Sequence, residues 1–285
     1  MTTLRLGGVP EYFNLPIHQA FENGTLEAAG IQLEWVNVPE GTGKMSSMLW
    51  DGELDMAIIL TEGITKSIID GNPSRIIKNY VESPLLWGIH VPHSENPQPI
   101  DNINDRRIAI SRFGSGSHLM SFVMAKNHGW NLQNLHFEVV NNLKGALESF
   151  REGESDVFLW EKYTTKPYVD NHEFSRVGIV ATPWPCFVIA AGLKSLESKK
   201  AAIRTACEII SNQCQQTQRN PELANLISSR FDLKKEDADQ IITEVKWSHD
   251  LSVDGIALRN VMNTLKSLGL IQLAPALNEV IHTLT

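Results

Sequence analysis

Cysteine is scarce in this 285-residue chain: there are three, an odd number that cannot close a disulfide framework. Cys207 and Cys214 stand seven apart on one face of a predicted helix and Cys186 lies in an apolar strand. All three are therefore expected to be buried free thiols, and a reducing compartment is the simplest setting. Long apolar runs are missing as well. Stretches such as Met56 to Leu60 and Phe187 to Ala191 fall far short of the roughly 20 residues a membrane helix requires. No basic segment followed by an apolar one precedes the first strand, so no signal peptide is expected. The expected location is the cytoplasm for the chain as written, or the periplasm if a leader has been removed. Positive charge is in deficit, 25 Lys and Arg against 33 Asp and Glu, and the net −8 opposes binding to nucleic acid and to anionic membrane.

Catalytic signatures are absent too. Without G-x-x-x-x-G-K-S/T, H-E-x-x-H or G-x-S-x-G, the common routes to phosphoryl transfer, zinc hydrolysis and acyl transfer have no support. His90 and His93 have i,i+3 spacing, but an extended, proline-containing segment does not put them on one face. Neither a metal nor a cofactor is expected, and a small-molecule partner is favoured by elimination.

What is present is an ordinary globular composition, 42% hydrophobic and 20% charged, in a length that suits about two domains. Leu4 to Val9 reads as a strand, and Asn14 and Pro16 start a helix that runs to Gly30. A strand over Ile31 to Val38, a short helix over Lys44 to Trp50, an apolar strand over Leu54 to Leu60 and a helix over Glu62 to Asp70 follow. Extended stretches Arg75 to Glu82 and Leu85 to Val91 lead through prolines into a second series. It comprises strand Arg107 to Ser111, helix Ser117 to His128, strand His136 to Val140, helix Leu143 to Arg151 and strand Asp156 to Trp160. Strand Cys186 to Leu193 returns, and the remainder reads as helices over 196–218, 221–229, 235–247, 254–268 and 274–282.

This order predicts an α/β fold of two lobes with mostly parallel sheets, flanking helices and a hinge. Lobe 1 is discontinuous (1–90 and 187–285), and lobe 2 is inserted (91–186). The halves also mirror each other in sequence. Gly52-Glu53-Leu54-Asp55 and Gly153-Glu154-Ser155-Asp156 each close a helix and lead into an apolar strand that ends on a glutamate, Glu62 or Glu161. Two related lobes, or two ordinary glycine C-caps, account for the match.

Candidate binding residues cluster after the strands, where parallel sheets place ligands. The first lobe offers Glu11, Tyr12 and Asn14, the flexible turn Thr42, Gly43 and Lys44, and Thr61 with Glu62. In the second, Arg112 and Phe113 precede Gly114-Ser115-Gly116-Ser117-His118, whose amides and hydroxyls at a helix start suit an anion or serve as an ordinary serine cap. Tyr12, Trp160 and Trp184 offer ring surface or pack locally, and Glu161 is placed to accept hydrogen bonds from a ligand amine.

Gly8-Val9-Pro10-Glu11-Tyr12-Phe13, the glycine turn with its Met-Leu helix, Gly52-Glu53-Leu54-Asp55 and Phe113-Gly114-Ser115-Gly116-Ser117 together resemble the type II periplasmic substrate-binding proteins. The resemblance covers nearly the whole chain. It lies with the branch for nitrate, sulfonate, taurine and thiamine-precursor ligands, and within it with the leaderless Ca3427-like family, typified by a yeast protein. It implies two lobes closing over a small polar, planar or anionic metabolite of the thiamine-precursor or sulfonate kind. A transporter or sensor partner would read out that closure. Related thiamine-pyrimidine synthases are enzymes that use a histidine, iron and a cysteine-rich segment. This chain lacks such a segment, which turns the expectation from enzyme toward binder. The alternatives left open are an enzyme of heterocycle biosynthesis using His118, Glu11 or Glu161 in proton transfer, and a ligand-sensing module.

Overall fold

The computed structural model describes residues 1–100 and 106–284. In chain order its strands are β1 (Thr2–Gly8), β2 (Ile31–Asn37), β3 (Met56–Leu60), β4 (Ser74–Val81), β5 (Leu86–Pro92), β6 (Arg107–Ile110), β7 (His136–Val139), β8 (Val157–Glu161), β9 (Phe174–Ala181) and β10 (Phe187–Gly192). They form two five-stranded sheets, β2-β1-β3-β10-β4 and β7-β6-β8-β5-β9.

Both sheets are mixed, which corrects the expected mostly parallel arrangement. β1 pairs in parallel with β2 and β3, but β10 runs antiparallel to β3 and β4. Likewise β6 is parallel to β7 and β8, while β5 is antiparallel to β8 and β9. The reversed strands are apolar runs buried on both faces, and such a run reads the same in either direction.

The chain divides into one unit of Met1–Ser83 with Trp184–Thr285 and a second of Pro84–Pro183. The expected borders lay at 90/91 and 186/187. They move because Leu86–Pro92 pairs wholly within the second sheet, whereas Trp184 and Cys186 bond to first-unit residues.

In the first unit, helix Lys200–Gln218 buries Ile203, Ala206, Cys207, Ile210 and Cys214 at helical spacing, on a face that meets helix Leu15–Glu22. Helix Gly255–Ser267 packs on helix Thr61–Ile69. The three cysteines are buried and form no disulfide. Among the described residues no helix is long and apolar enough to cross a membrane.

Three helix expectations change. The first helix stops at Glu22, because Gly24 takes φ +73° before a separate turn of helix at Thr25–Ala28. The long helix expected from Leu196 divides into Leu193–Ser198 and Lys200–Gln218. At the break, Lys199 reaches the Thr3 carbonyl and Asp55. Residues 274–282 hold only a 3-10 turn at Leu277–Glu279, beyond which Ile281 bridges Ile76 at the edge of β4. Covering that sheet edge satisfies backbone groups that a helix there would leave open.

The sequence mirror has a common physical basis. Asp55 accepts from the Arg5 amide (2.9 Å) and Nε (3.4 Å), while Arg5 Nη2 donates to the Gly52 carbonyl (2.8 Å). Asp156 accepts from the Arg107 amide (3.0 Å) and Nε (3.2 Å), and Arg107 Nη2 donates to the Gly153 carbonyl. Gly52 and Gly153 are left-handed at φ +73° and +68°. Each Gly-Glu-x-Asp segment thus ends a helix and clamps the start of the strand at its sheet's centre.

Candidate functional site

In the first unit the register brings the ends of β1, β2 and β3 together with the start of β10. Gly8 pairs with Asn37, and Phe187 pairs with both Leu60 and Val81. The turn after β1 carries Glu11 and a 3-10 turn at Tyr12–Asn14. Asn14 is fully buried and holds this turn through its amide to the Val9 carbonyl (2.7 Å), with its Oδ1 unpartnered among the described residues. Tyr12 is buried against Phe13 (ring centroids 4.0 Å), and Phe13 meets Phe187 (4.9 Å). The Phe13 carbonyl accepts from Tyr80 Oη and Trp247 Nε1, both at 2.7 Å, so this aromatic floor is fixed from behind.

Helices Thr42–Asp51 and Thr61–Ile69 start side by side. A Cβ on Gly63 would lie 2.3 Å from Thr42 Cγ2, so a larger residue there would have to displace the Thr42 side chain. Thr42 and Gly43 are half-buried, whereas Lys44 is exposed. Thr61 donates through its hydroxyl to the Pro185 carbonyl (2.6 Å) and through its amide to the Cys186 carbonyl (3.0 Å).

Glu62 is the unusual group of this edge. It is 2% exposed, its Oε2 accepts from the Trp184 indole at 2.8 Å, and its Oε1 has no partner among the described residues. Burial pushes its pKa from 4.5 to about 7, against the pull of its own amide and the indole. Trp184 is itself 3% exposed, so it serves as the donor to Glu62 and offers no open ring face.

In the second unit, the turn after β6 begins the helix Gly116–Asn127. Ser115 caps it by accepting from the His118 amide (3.3 Å), while the Ser117 hydroxyl lies 3.0 Å from the Ser115 hydroxyl and accepts from the Ser111 amide (3.0 Å). The His118 ring is packed among Phe113, Phe122 and Phe137 at centroid distances of 5.3, 4.9 and 4.7 Å. Its Nδ1 accepts from the Gly114 amide, and burial lowers its pKa, so it is a neutral ring that orders the turn. Phe113 remains 65% exposed.

Arg112, in the same turn, is half-buried, and its guanidinium has no hydrogen-bond or carboxylate partner among the described residues. Burial lowers its pKa, the sign of a cation withdrawn from water with no counter-charge among the described residues.

At the end of β8, Glu161 turns back on its own loop. Its Oε2 accepts from the Tyr163 and Thr164 amides (3.0 and 2.6 Å) and the Thr164 hydroxyl (2.8 Å), so this oxygen fixes the turn, whereas the sequence reading aimed it at a ligand amine. Trp160 stacks on Phe158 at 5.3 Å and packs against the unit's core. Phe187 and Gly63 complete the first-unit edge and were not singled out from sequence. Only the β10 register reveals the first, and only the contact with Thr42 the second. No His, Cys, Asp and Glu grouping among the described residues is arranged to hold a metal ion.

A family pattern described as Ca3427-like PBP matches residues 87–180. The chain is similar over 99% of its length to 96% of a protein described as the conserved Candida albicans CA3427 gene product, which defines a family with the generic periplasmic binding protein fold. The identity is 30% and the TM-score 0.90. The alkanesulfonate-binding protein SsuA from Xanthomonas axonopodis pv. citri, bound to MOPS, is 12% identical with a TM-score of 0.77 and 99% of each chain covered. The periplasmic nitrate-binding protein NrtA from Synechocystis PCC 6803 is 15% identical with a TM-score of 0.62, covering 83% of this chain and 69% of that one. At those identities the last two share the fold alone. No curated protein sequence matches the chain.

Proposed function

The chain belongs to the Ca3427-like family, which has the periplasmic binding protein fold, and from that premise we propose that it reversibly binds a small organic anion bearing a sulfonate-like or carboxylate head. The observation that carries this reading is Arg112. A half-buried guanidinium with no counter-charge among the described residues is costly, and an anionic ligand would complete it. The hydroxyls and amides of Ser115, Gly116 and Ser117 stand in the same turn, at a helix N-terminus that favours negative charge. Exposed Phe113 beside them supplies apolar surface for the organic part. Structural neighbours that bind an alkanesulfonate and nitrate support the anionic class.

Titration calorimetry with a panel of small sulfonates and carboxylates, MOPS included, tests the reading. Arg112→Gln is expected to weaken the best ligand by about ten- to a hundredfold, the loss of one charge-assisted contact. A variant that binds as tightly as wild type would remove Arg112 from the site. We further propose that the two units close over the ligand. Small-angle scattering at saturating ligand is expected to show compaction, and an unchanged profile would refute closure.

A further inference from the structure

The first unit has a concavity at the opposite end of its sheet from Glu62. It opens where β4 begins and β10 ends, and its volume is about 790 Å³. That lies within the roughly 300–1,000 Å³ of small-molecule sites. Its walls are mainly apolar, with Ile68, Ile69, Leu193, Leu273 and Pro275 among them. Leu273 is 73% exposed, a large aliphatic side chain left in water at the rim.

Among the described residues the one cation lining it is Arg75. Arg75 Nη1 donates to the Ser74 carbonyl (2.7 Å), and no carboxylate lies within ion-pair distance of it among the described residues. The one acid in the lining, Glu279, is engaged by the Ala276 amide at 3.1 Å. Lys200 and Arg75 each stand close enough to His282 to depress its pKa, after burial itself, and the buried His282 Nε2 has no partner among the described residues. Arg75 and Lys200 thus bring two cations to this end of the unit, in a chain of net charge −8.

Residues 274–276 line both this groove and a second hollow of about 300 Å³ that Arg259 and Met262 also line.

We propose that this groove is a second ligand site, which takes an amphipathic monocarboxylate: its head pairs with Arg75 and its aliphatic chain lies along Ile68, Ile69, Leu193 and Leu273. The site is independent of Arg112, which belongs to the other unit.

Octanoate is the probe, followed by calorimetry and by chemical-shift changes on the intact protein. Shifts of the residues that line this groove are expected, and the affinity of that event is expected to fall about tenfold or more with Arg75→Gln and to fall also with Leu273→Asp, in the protein that keeps Arg112 and equally in one that carries Arg112→Gln to silence the other anion site. Leu273 is exposed enough that its replacement leaves the fold intact, which circular dichroism checks. Absence of octanoate binding at millimolar concentration, equal binding to Arg75→Gln, or loss on Arg112→Gln instead would each overturn the proposal. The last outcome would assign the carboxylate to the anion site of the second unit.

Discussion

Replacing Glu62 by Gln tests the energetics of the first-unit edge. The side chain is 2% exposed and burial raises its pKa from 4.5 to about 7. Unfolding releases the carboxyl to its ordinary value, so this group stabilises the fold relatively below pH 4.5. The contribution is lost as pH rises through 7, because the unfolded chain ionises first. The gap amounts to about 1 kcal/mol of destabilisation at pH 5 and about 3 kcal/mol at pH 8. Glutamine keeps an acceptor for the Trp184 indole and carries no charge. Glu62→Gln is therefore expected to be more stable than wild type by about 3 kcal/mol at pH 8, with most of the gain gone at pH 5. Urea denaturation at both pH values measures it. A gain independent of pH, or no gain at pH 8, would refute the argument.

Asp55 is the opposite case. Burial raises its pKa, but bonds from the Arg5 amide, Ser195, Lys199 and the Arg5 side chain outweigh it and the net shift is downward. Its contribution is present above the ordinary carboxyl value near 3.8 and lost as pH falls through the depressed one. Asp55→Asn is expected to cost about 3 kcal/mol at pH 7, the low end for breaking a buried pair because both cations keep contact with water, as denaturant titration at pH 7 and pH 3 would show. In the second unit, a Cβ on Gly145 would lie 1.9 Å from the Val140 carbonyl oxygen, backbone that cannot swing away. Gly145→Ala is expected to cost at least about 1–3 kcal/mol, read as a lowered thermal midpoint, and an unchanged midpoint would show that the helix start shifts freely.

Local chemistry was legible in the sequence wherever neighbours in the chain determine it. The left-handed glycines 52 and 153 and the strands after them follow from composition over a few residues, as does the Ser115 cap. Long-range chemistry was not. Nothing near Trp184 indicates that its indole serves Glu62, 122 positions away, and nothing near Lys199 indicates that Asp55 breaks its helix. The alternation that identifies a strand carries no direction, so β5 and β10 were found but not their antiparallel sense. Glu161 was placed at the correct strand end, and its Oε2 accepts from amides two and three residues on, a local bond that the strand pattern does not reveal. Residues 274–282 carry a helical pattern that Pro275 and the open edge of β4 override.

Both crossings between the units lie at prolines, Ser83-Pro84 and Pro183-Trp184, and each is tied to the other on its own side. The Cys186 amide donates to the Ser83 carbonyl, while the Thr182 amide donates to the Leu85 carbonyl and the Leu85 amide to the Thr182 hydroxyl. Residues 84–183 consequently begin and end as adjacent strands of a single sheet, and the remaining two segments meet at one strand pair. Such an arrangement is portable. The inner segment has neighbouring termini and is open to expression alone, to exchange with a homologous segment, or to circular permutation through a short linker. A short bridge from Ser83 to Trp184 would let the outer segments fold as one continuous chain.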